Sequence, residues 1–369
     1  MTTKIKNIVT VCVMAVFLFG LSFYCWAKPA DAFSDSERRN LDQFPKLDKD
    51  SVLSSDFMTD FEDYTLDQFP LRDRFRTLKA FTRFYVFWQK DNNDIYIEDG
   101  YAAKLEYPMN ESSIDRAAER FRYLYDKYMA DKDVNVYFSI VPDKSYFLAE
   151  KNGYLAMDYE KFFSLMQEKT DYMEYIDITG LLDIEDYYKT DTHWKQEKLT
   201  DVAAKLAAGM GVTLSGNYTE KTLDNPFYGV YYGQSALPLS PDTIKYLTSD
   251  VLDGCKVYNY ESGRPEEIGV YNMDKAYGKD PYEMFLSGSL SLITIENPNA
   301  TTDKELVIFR DSFGSSIAPL LVEGYAKVTL VDIRYVASDL VGRFVDFENQ
   351  DVLFLYSTLV LNNSVTLKE

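Results

Sequence analysis

The sequence predicts an α/β fold in which a parallel β-sheet is flanked by helices. Segments with helical spacing of apolar residues alternate with short, nearly continuous apolar runs, and this alternation is typical of a parallel sheet covered on both faces. A short strand is also expected at 175–179, and a helix from Trp194 to Met210 that stops before Gly211. The apolar runs that predict the main strands are residues 134–141, 305–310, 327–332 and 351–356.

Three further regions have their own patterns. Between about 212 and 300 the chain is rich in Tyr and Gly with turn signals, which predicts a β-rich insertion. From Asp56 to Tyr85 apolar residues recur at helical spacings that are broken at Pro70, so two amphipathic helices are expected. Ser112 with Asp115 resembles the start of another helix.

The N-terminus predicts a transmembrane helix. Ile8 to Ala27 carry no charge, and twenty helical residues span roughly 30 Å, about one bilayer core. Lys4 and Lys6 before the stretch place the N-terminus in the cytoplasm and the remainder outside. A cleaved signal peptide, which would make the protein secreted, is the alternative; its apolar region is usually shorter, and no good cleavage site follows Ala27. The predicted domains are a signal anchor at 1–27, an extracytoplasmic arm at 28–75, and an α/β domain at 76–369.

Charge and cysteine content restrict the partners and cofactors. The net charge of −20 becomes −22 when residues 1–27 and their two lysines are left out, and this field repels nucleic acid. Cys255 is the one cysteine outside the apolar stretch, so no disulfide within the extracytoplasmic part is expected. With a single histidine in the chain, a zinc site is close to excluded, and no metal or cofactor is predicted.

The segment around Ser312 has the pattern of a catalytic turn. An apolar strand is followed by Asp311 and Ser312, and small residues then lead into a helix. Catalytic groups of open α/β sheets gather at the carboxyl ends of strands, and a helix start supplies N–H groups for a developing oxyanion. The alternative is that Asp311 or Ser312 merely caps the helix.

His193 is the only histidine and therefore the only imidazole available as a general base. Asp191 lies two residues earlier, a spacing that lets its carboxylate reach Nδ1 while Nε2 faces a nucleophile. A nearby carboxylate favours the protonated imidazole, whereas a helix N-terminus near Trp194 disfavours it, and we expect the carboxylate to have the larger effect. The alternative is a histidine held as a core or capping side chain.

These residues resemble the DHHW proteins of bacteria, relatives of periplasmic alginate O-acetyltransferases. The resemblance rests on Asp-Thr-His-Trp at 191–194 followed by Asp-Ser-Phe at 311–313. It implies an SGNH-hydrolase-like fold with Ser312 as nucleophile, His193 as general base and Asp191 as its orienting carboxylate. Further similar segments are 37–41, 44–45, 67–73, 141–144 and 331–335.

The sequence also departs from the family pattern. Thr192 replaces the first histidine of the family name, as in the acetyltransferase branch, and Arg310 stands where many SGNH enzymes have glycine. Gly288-Ser289 aligns where Gly-Asn is expected, which weakens one oxyanion donor. Oxyanion or substrate contacts are assigned to Phe313, Gly288, Ser289 and Arg310. Lys144, at the end of the strand 134–141, is either a further substrate contact or a solvated lysine.

The resemblance implies O-acetyl transfer to a cell-surface or secreted polysaccharide, with a membrane-bound acetyl-exporting O-acyltransferase as a partner. Two alternatives stay open. An acetyl esterase shares the acyl-serine step and differs in that water accepts the acyl group. A non-catalytic glycan-binding or assembly protein would keep the fold, and its 30 tyrosines suit either sugar stacking or ordinary core packing.

Overall fold

The protein is described by a computed structural model that covers residues 2–369 and divides into two compact units. The first comprises residues up to Asn93 together with Tyr232–Pro238, and the second comprises Asp94–Tyr231 with Leu239–Glu369.

The first unit begins with a long apolar helix, α1, that is long and apolar enough to cross a membrane and has no buried residue. The two amphipathic helices predicted around Pro70 are present as α3 and α4, and a π-helical turn at Thr82–Val86 extends α4. The elements of this unit are α1 Thr3–Ala27, β1 Phe33–Ser34, β2 Arg39–Asn40, α2 Lys49–Leu53, α3 Asp56–Asp67 and α4 Arg72–Phe81.

The second unit is built around an eight-stranded sheet. Its helices, with α9 running on into the first unit, are α5 Glu111–Tyr128, α6 Lys144–Leu148, α7 Tyr159–Lys169, α8 Thr200–Gly209, α9 Val230–Ser235, α10 Asp250–Gly254, α11 Met273–Ala276, α12 Gly314–Leu321 and α13 Thr358–Leu361. Its strands are β3 Ile95–Glu98, β4 Tyr101–Lys104, β5 Asn135–Val141, β6 Glu174–Tyr175, β7 Thr219–Thr222, β8 Lys245–Thr248, β9 Lys256–Asn259, β10 Glu266–Ile268, β11 Leu292–Glu296, β12 Glu305–Arg310, β13 Lys327–Val331 and β14 Gln350–Ser357.

The strand order in the large sheet is β10-β9-β11-β13-β12-β14-β5-β6. The five strands from β13 to β6 are parallel, whereas β11, β9 and β10 join antiparallel at one side. The predicted α/β class is therefore confirmed. β3 with β4 and β7 with β8 form separate antiparallel hairpins.

Alternate residues of the parallel strands bury into two separate cores, one on each face of the sheet. In β12, Leu306 and Ile308 belong to one core, and Val307 and Phe309 belong to the other. The strands are apolar on both faces for this reason, and the carboxyl end of β12, which carries Ser312, is held from both sides.

Three elements differ from the sequence prediction. The strand expected at 175–179 is only the two-residue β6, Glu174–Tyr175, and a 3₁₀ turn begins at Thr179. The helix expected from Trp194 begins only at Thr200, because Trp194 instead forms an antiparallel bridge with Tyr187. The predicted insertion contributes β9, β10 and β11 to the large sheet itself. Local sequence gives no information about such pairing, since the partner strand β13 lies more than thirty residues further along the chain.

Candidate functional site

The Asp191–His193 loop is a tight reversal of the chain. The bridge between Tyr187 and Trp194 closes it, and the Tyr188 N–H donates to the His193 carbonyl over 3.1 Å. Within it, Asp191 Oδ1 lies 2.6 Å from His193 Nδ1 and also accepts the His193 backbone N–H. The carboxylate thus fixes both the imidazole and the backbone that carries it.

Ser312 follows β12 and faces the imidazole. Its Oγ lies 2.7 Å from His193 Nε2, a hydrogen-bonding distance suited to proton transfer. Asp191, His193 and Ser312 thus form a continuous hydrogen-bonded series. The His193 side chain is 12% exposed and that of Asp191 2% exposed, so the base is reachable while its orienting carboxylate is shielded.

The far side of the Asp191 carboxylate is held by a segment that the sequence analysis did not single out. The Val230 N–H donates to Asp191 Oδ2 over 2.9 Å, and the Gly229 N–H donates to Thr190 Oγ1. A Cβ at Gly229 would lie 2.3 Å from the Asp191 Cα, so only glycine permits this approach. The single signal in the sequence is a glycine within a region that contains several others.

Asp242 fixes the residues just before Asp191. Its carboxylate accepts the backbone N–H groups of Lys189 and Thr190 and the Thr190 hydroxyl, over 2.6–2.8 Å. The loop that carries the imidazole is therefore anchored by two carboxylates, and its position is set by long-range contacts rather than by its own sequence.

Tyr282 covers the imidazole. Its ring stacks on His193 with centroids 3.8 Å apart and planes 9° apart, and its hydroxyl donates to Ser316 Oγ over 2.9 Å. The Trp194 indole N–H donates to the same Ser316 Oγ, also over 2.9 Å. Burial raises the pKa of Tyr282 above its ordinary value, so the phenol stays neutral. Tyr282 falls within the predicted insertion, and no motif marks it.

Asp311 has a structural place in the site. Its Oδ1 accepts the Phe313 N–H over 3.0 Å, and its Oδ2 accepts the N–H and hydroxyl of Ser357, at the end of β14. The alternative expected from sequence, that Asp311 or Ser312 merely caps the following helix, was wrong: Phe313 is at the N-cap of α12, and no side chain caps it. Asp311 instead closes the turn that presents Ser312 to His193.

Arg310 is fully buried and lies against the 288–290 loop. Its Nη2 donates to the carbonyls of Gly288 and Leu290 over 3.2 and 3.3 Å, and its Nη1 lies 3.7 Å from Asp332. These contacts give Arg310 protein partners in place of a substrate.

The expected oxyanion donors differ in their availability. The Phe313 N–H is committed to Asp311, and the Gly288 N–H donates to the Phe285 carbonyl over 3.0 Å. Ser289 is exposed. Within residues 2–369, the backbone N–H groups of Ser289 and Ser312 have no hydrogen-bond acceptor.

Lys144 is buried, which the sequence did not predict. Its Nζ donates to the carbonyls of Tyr188 and Lys189, over 3.0 and 3.2 Å, and lies 4.9 Å from the ring centre of Tyr231. Burial lowers the pKa of Lys144 to about 7, opposed by the nearby carboxylates of Asp191 and Asp242. The ammonium therefore supports the loop that carries Asp191, and the interpretation as a solvated lysine was wrong.

The carboxylate of Asp143, the residue before Lys144, is also buried. Asp143 Oδ2 accepts the hydroxyls of Thr358 and Tyr159, and burial raises the pKa of Asp143 to about 6. The N–H of Ser145 donates to Asp143 Oδ1 over 2.7 Å. Among residues 2–369 no group of three or more His, Cys, Asp or Glu side chains is arranged to hold a metal ion.

With this geometry established, comparisons with known proteins identify the relatives. Residues 172–331, which include His193 and Ser312, match the family described as DHHW protein. The expected resemblance to DHHW proteins is confirmed over these residues. No curated protein matches the chain.

Several solved structures are similar to this chain in fold. A DHHW family protein from Eubacterium siraeum is 21% identical over 75% of this chain and 95% of that chain, with a TM-score of 0.60. PatB1 of Bacillus cereus, determined with a sulfonyl adduct, is 17% identical over 74% and 98%, with a TM-score of 0.61. The O-acetyltransferase domain of Pseudomonas putida AlgJ is more distant, at 11% identity over 73% and 92% and a TM-score of 0.45. The first two of these proteins share the fold of this chain, which agrees with the predicted parallel sheet flanked by helices.

Proposed function

We propose that this protein is an extracytoplasmic acyl-serine enzyme that transfers O-acetyl groups to a cell-surface or secreted polysaccharide. The observation that carries the proposal is the hydrogen-bonded series from Asp191 through His193 to Ser312. The acetyl group and the glycan come from the DHHW resemblance. The apolar helix α1 fits a signal anchor or a signal peptide, and the proposal takes it as an uncleaved single-pass anchor in the cell membrane.

The first half of the reaction forms an acyl-serine. Ser312 Oγ attacks the carbonyl carbon of the acetyl donor while His193 Nε2 takes the hydroxyl proton, and Asp191 stabilises the imidazolium through Nδ1–H. The tetrahedral intermediate collapses, the bond to the donor oxygen breaks, and that oxygen receives the proton from His193. The donor is expected to come from a membrane-bound O-acyltransferase that exports acetyl groups.

The second half regenerates the enzyme. A sugar hydroxyl gives its proton to His193 Nε2 and attacks the acyl carbon, and the Ser312 ester bond then breaks with return of the proton to Oγ. Water in place of the sugar would give an esterase by the same steps. The proposed oxyanion donors are the N–H groups of Ser312 and Ser289, because neither has an acceptor within residues 2–369.

The test is acetyl release from a chromogenic acetate ester by the full chain in detergent, with and without oligosaccharide acceptors. Ser312→Ala and His193→Ala are each expected to lower kcat on the order of 10³–10⁶-fold. Ser262→Ala, at an exposed turn position, is the matched serine control and should leave kcat unchanged. Acceleration by an oligosaccharide together with an acetylated sugar product supports the transferase, whereas acetate as the sole product supports the esterase.

Two results would contradict the assignment. Ester turnover unaffected by both Ser312→Ala and His193→Ala would remove these residues from the chemistry. Absence of turnover and of any acyl-enzyme by intact mass, with oligosaccharide binding equal in wild type and Ser312→Ala, would make the protein a glycan-binding module.

A further inference from the structure

Helix α4 directs apolar side chains outward and charged side chains into the first unit, which is the reverse of the usual arrangement in a soluble protein. Leu78 and Phe81, three residues apart on α4, share one face. Leu71, just before the helix, and Tyr85, in the π-helical turn after it, continue this series at intervals of seven and four residues. All four are exposed, by 52–59%, and Trp88, which follows the π-helical turn, is 84% exposed. These five residues are called the exposed stripe below.

The other face of α4 is charged and directed into the first unit. Arg72 pairs with Glu37 and Asp67, and Arg76 Nη2 lies 3.1 Å from Glu37 Oε1 and donates to the Gly233 carbonyl. These arginines cannot turn outward without breaking their ion pairs. The outward position of the exposed stripe is therefore fixed by the fold.

The exposed stripe is accompanied by positive charge in an otherwise acidic chain. Residues 71–90 contain six basic residues and one acid, a net charge of +5, whereas the whole chain carries −20. Arg74, Lys79 and Lys90 are exposed beside the stripe. A face with aromatic and aliphatic residues bordered by cations is the pattern of a helix that lies in a membrane interface.

The first unit also brings this face to the end of the transmembrane helix. Tyr24 and Lys28, in the last turn of α1 and just after it, line one cavity of about 510 Å³ together with Leu71 and Arg74. Cys25 Sγ donates to the carbonyl of Gln68, close to the start of α4, over 3.7 Å. If α1 crosses the bilayer, α4 starts at the level where acyl chains give way to headgroups.

We propose that α4 and the π-helical turn after it lie in the outer surface of the membrane, with the exposed stripe among the upper acyl chains and Arg74, Lys79 and Lys90 on anionic phospholipid headgroups. The occupant of this face is lipid, because the face is continuous with the end of α1 and complementary in charge to an anionic surface. The inference rests on the membrane anchor and not on the acetyl-transfer chemistry. It gives the chain a second membrane contact that α1 alone does not supply.

The test uses the full chain in nanodiscs, with intact mass to confirm that residues 3–27 are retained. Single nitroxide labels are placed at Leu78→Cys and Tyr85→Cys after Cys12, Cys25 and Cys255 have been changed to serine. Accessibility to oxygen and to a nickel chelate is compared with Glu119→Cys, an exposed position on α5. In nanodiscs with one third phosphatidylglycerol, both stripe labels are expected to favour oxygen at least several-fold more than the Glu119 label.

Charge and native fluorescence provide independent readouts. Arg74→Glu with Lys79→Glu should reduce the oxygen preference at position 85 in anionic nanodiscs and leave it unchanged in purely zwitterionic ones. Trp88 in the unlabelled wild type should be quenched by brominated lipid, and Trp88→Phe should remove that component.

Stripe labels as open to the nickel chelate as Glu119 would overturn the proposal. Labels shielded from both reagents would also overturn it, since a second copy or another protein would then cover the face. Ester turnover is measured separately, so loss of the proposed function would not be mistaken for either result.

Discussion

Two turns in this molecule share one local design and differ in what they do. Asp191 accepts the backbone N–H of His193 over 3.1 Å, and Asp311 accepts that of Phe313 over 3.0 Å. The Asp191 oxygen that takes the backbone N–H also takes the imidazole Nδ1. The second Asp311 oxygen instead binds Ser357 and ties the end of β12 to the end of β14.

The comparison shows that the first role of each aspartate is to accept the backbone N–H of the residue two positions later. Such a carboxylate satisfies an N–H that a sharp turn would otherwise leave without an acceptor. Only the tertiary surroundings decide whether the remaining acceptor capacity orients a base or joins two strands. Substitutions at the two aspartates should therefore affect different observables.

The largest effect is expected for Asp191→Asn. An amide at this position favours the wrong imidazole tautomer and cannot stabilise an imidazolium, so kcat for acetyl-ester turnover should fall by about 10⁴-fold. An amide cannot accept from both the Val230 and His193 sides, so a modest loss of stability, similar to that expected at Asp311, should accompany the much larger loss of kcat. Asp35→Asn, at an exposed position in the first unit, is the control for a general loss of one negative charge. Turnover within threefold of wild type would show that Asp191, like Asp311, serves only the turn.

Gly229→Ala tests whether the position of Asp191 matters as much as its charge. The added methyl would sit 2.3 Å from the Asp191 Cα, so the loop must shift, and a displacement of about 1 Å can cost 10²-fold in kcat. Gly180→Ala is the matched control, because a Cβ there meets no atom within 4 Å. Equal kcat values for the two variants would mean that the loop relaxes without consequence for the imidazole.

Asp143 closes a third turn of this kind, and its contribution to the stability of the fold depends on pH. Burial raises its pKa from 3.8 in the unfolded chain to about 6, so the fold favours the protonated acid. The associated stability is present below pH 4 and is lost as the pH rises to 6, by up to about 3 kcal/mol. Asp143→Asn should remove this part of the pH dependence, measured by urea unfolding at pH 4, 5 and 6. Parallel curves for wild type and variant would refute the assignment.

At Asp311 the expected effect is on stability. Asp311→Asn loses an acceptor for the Ser357 N–H or hydroxyl, and a buried polar group without a partner costs about 1–3 kcal/mol. The free energy of unfolding, measured with urea, should fall by that amount. Among molecules that remain folded, kcat should fall far less than in Asp191→Asn. A kcat loss as large as that of Asp191→Asn would erase the distinction between the two turns.

Much of the fold was predictable because the parallel strands are buried on both faces. Their short apolar runs, such as residues 306–309 within β12, alternate with longer segments of helical spacing, and this alternation marks them as strands. The start of α8 was misplaced because Leu199, Val202 and Leu206 have helical spacing, and no proline or glycine between Trp194 and Leu199 signals a break. Trp194 is instead held in a bridge, with its indole bonded to the Phe313 carbonyl and Ser316, and these partners are invisible in the local sequence.

The candidate site likewise contains residues that could be predicted from the sequence and residues that could not. The proximity of Asp191, His193 and Ser312 was predictable because a triad requires specific residue types, and Ser312 follows an apolar strand. Lys144 was misjudged as a solvated lysine because its partners are backbone carbonyls, which any residue supplies. Gly229 and Tyr282 were missed because each acts by shape against a distant loop, and the residue types alone carry no such information.

Tyr282 gives the smallest expected effect and the finest test of the comparison, since it touches the imidazole and not the turn. A ring stacked on His193 stabilises the imidazolium that forms during proton transfer, an attraction worth about 1–2 kcal/mol when shielded from water. Tyr282→Leu should therefore lower kcat about tenfold, because the imidazolium that forms during proton transfer loses the stacked ring. Tyr282→Phe keeps the ring, loses the hydrogen bond to Ser316, and should stay within threefold of wild type. Equal losses in both variants would assign the role to the hydroxyl and its link to Trp194 rather than to the stacked ring.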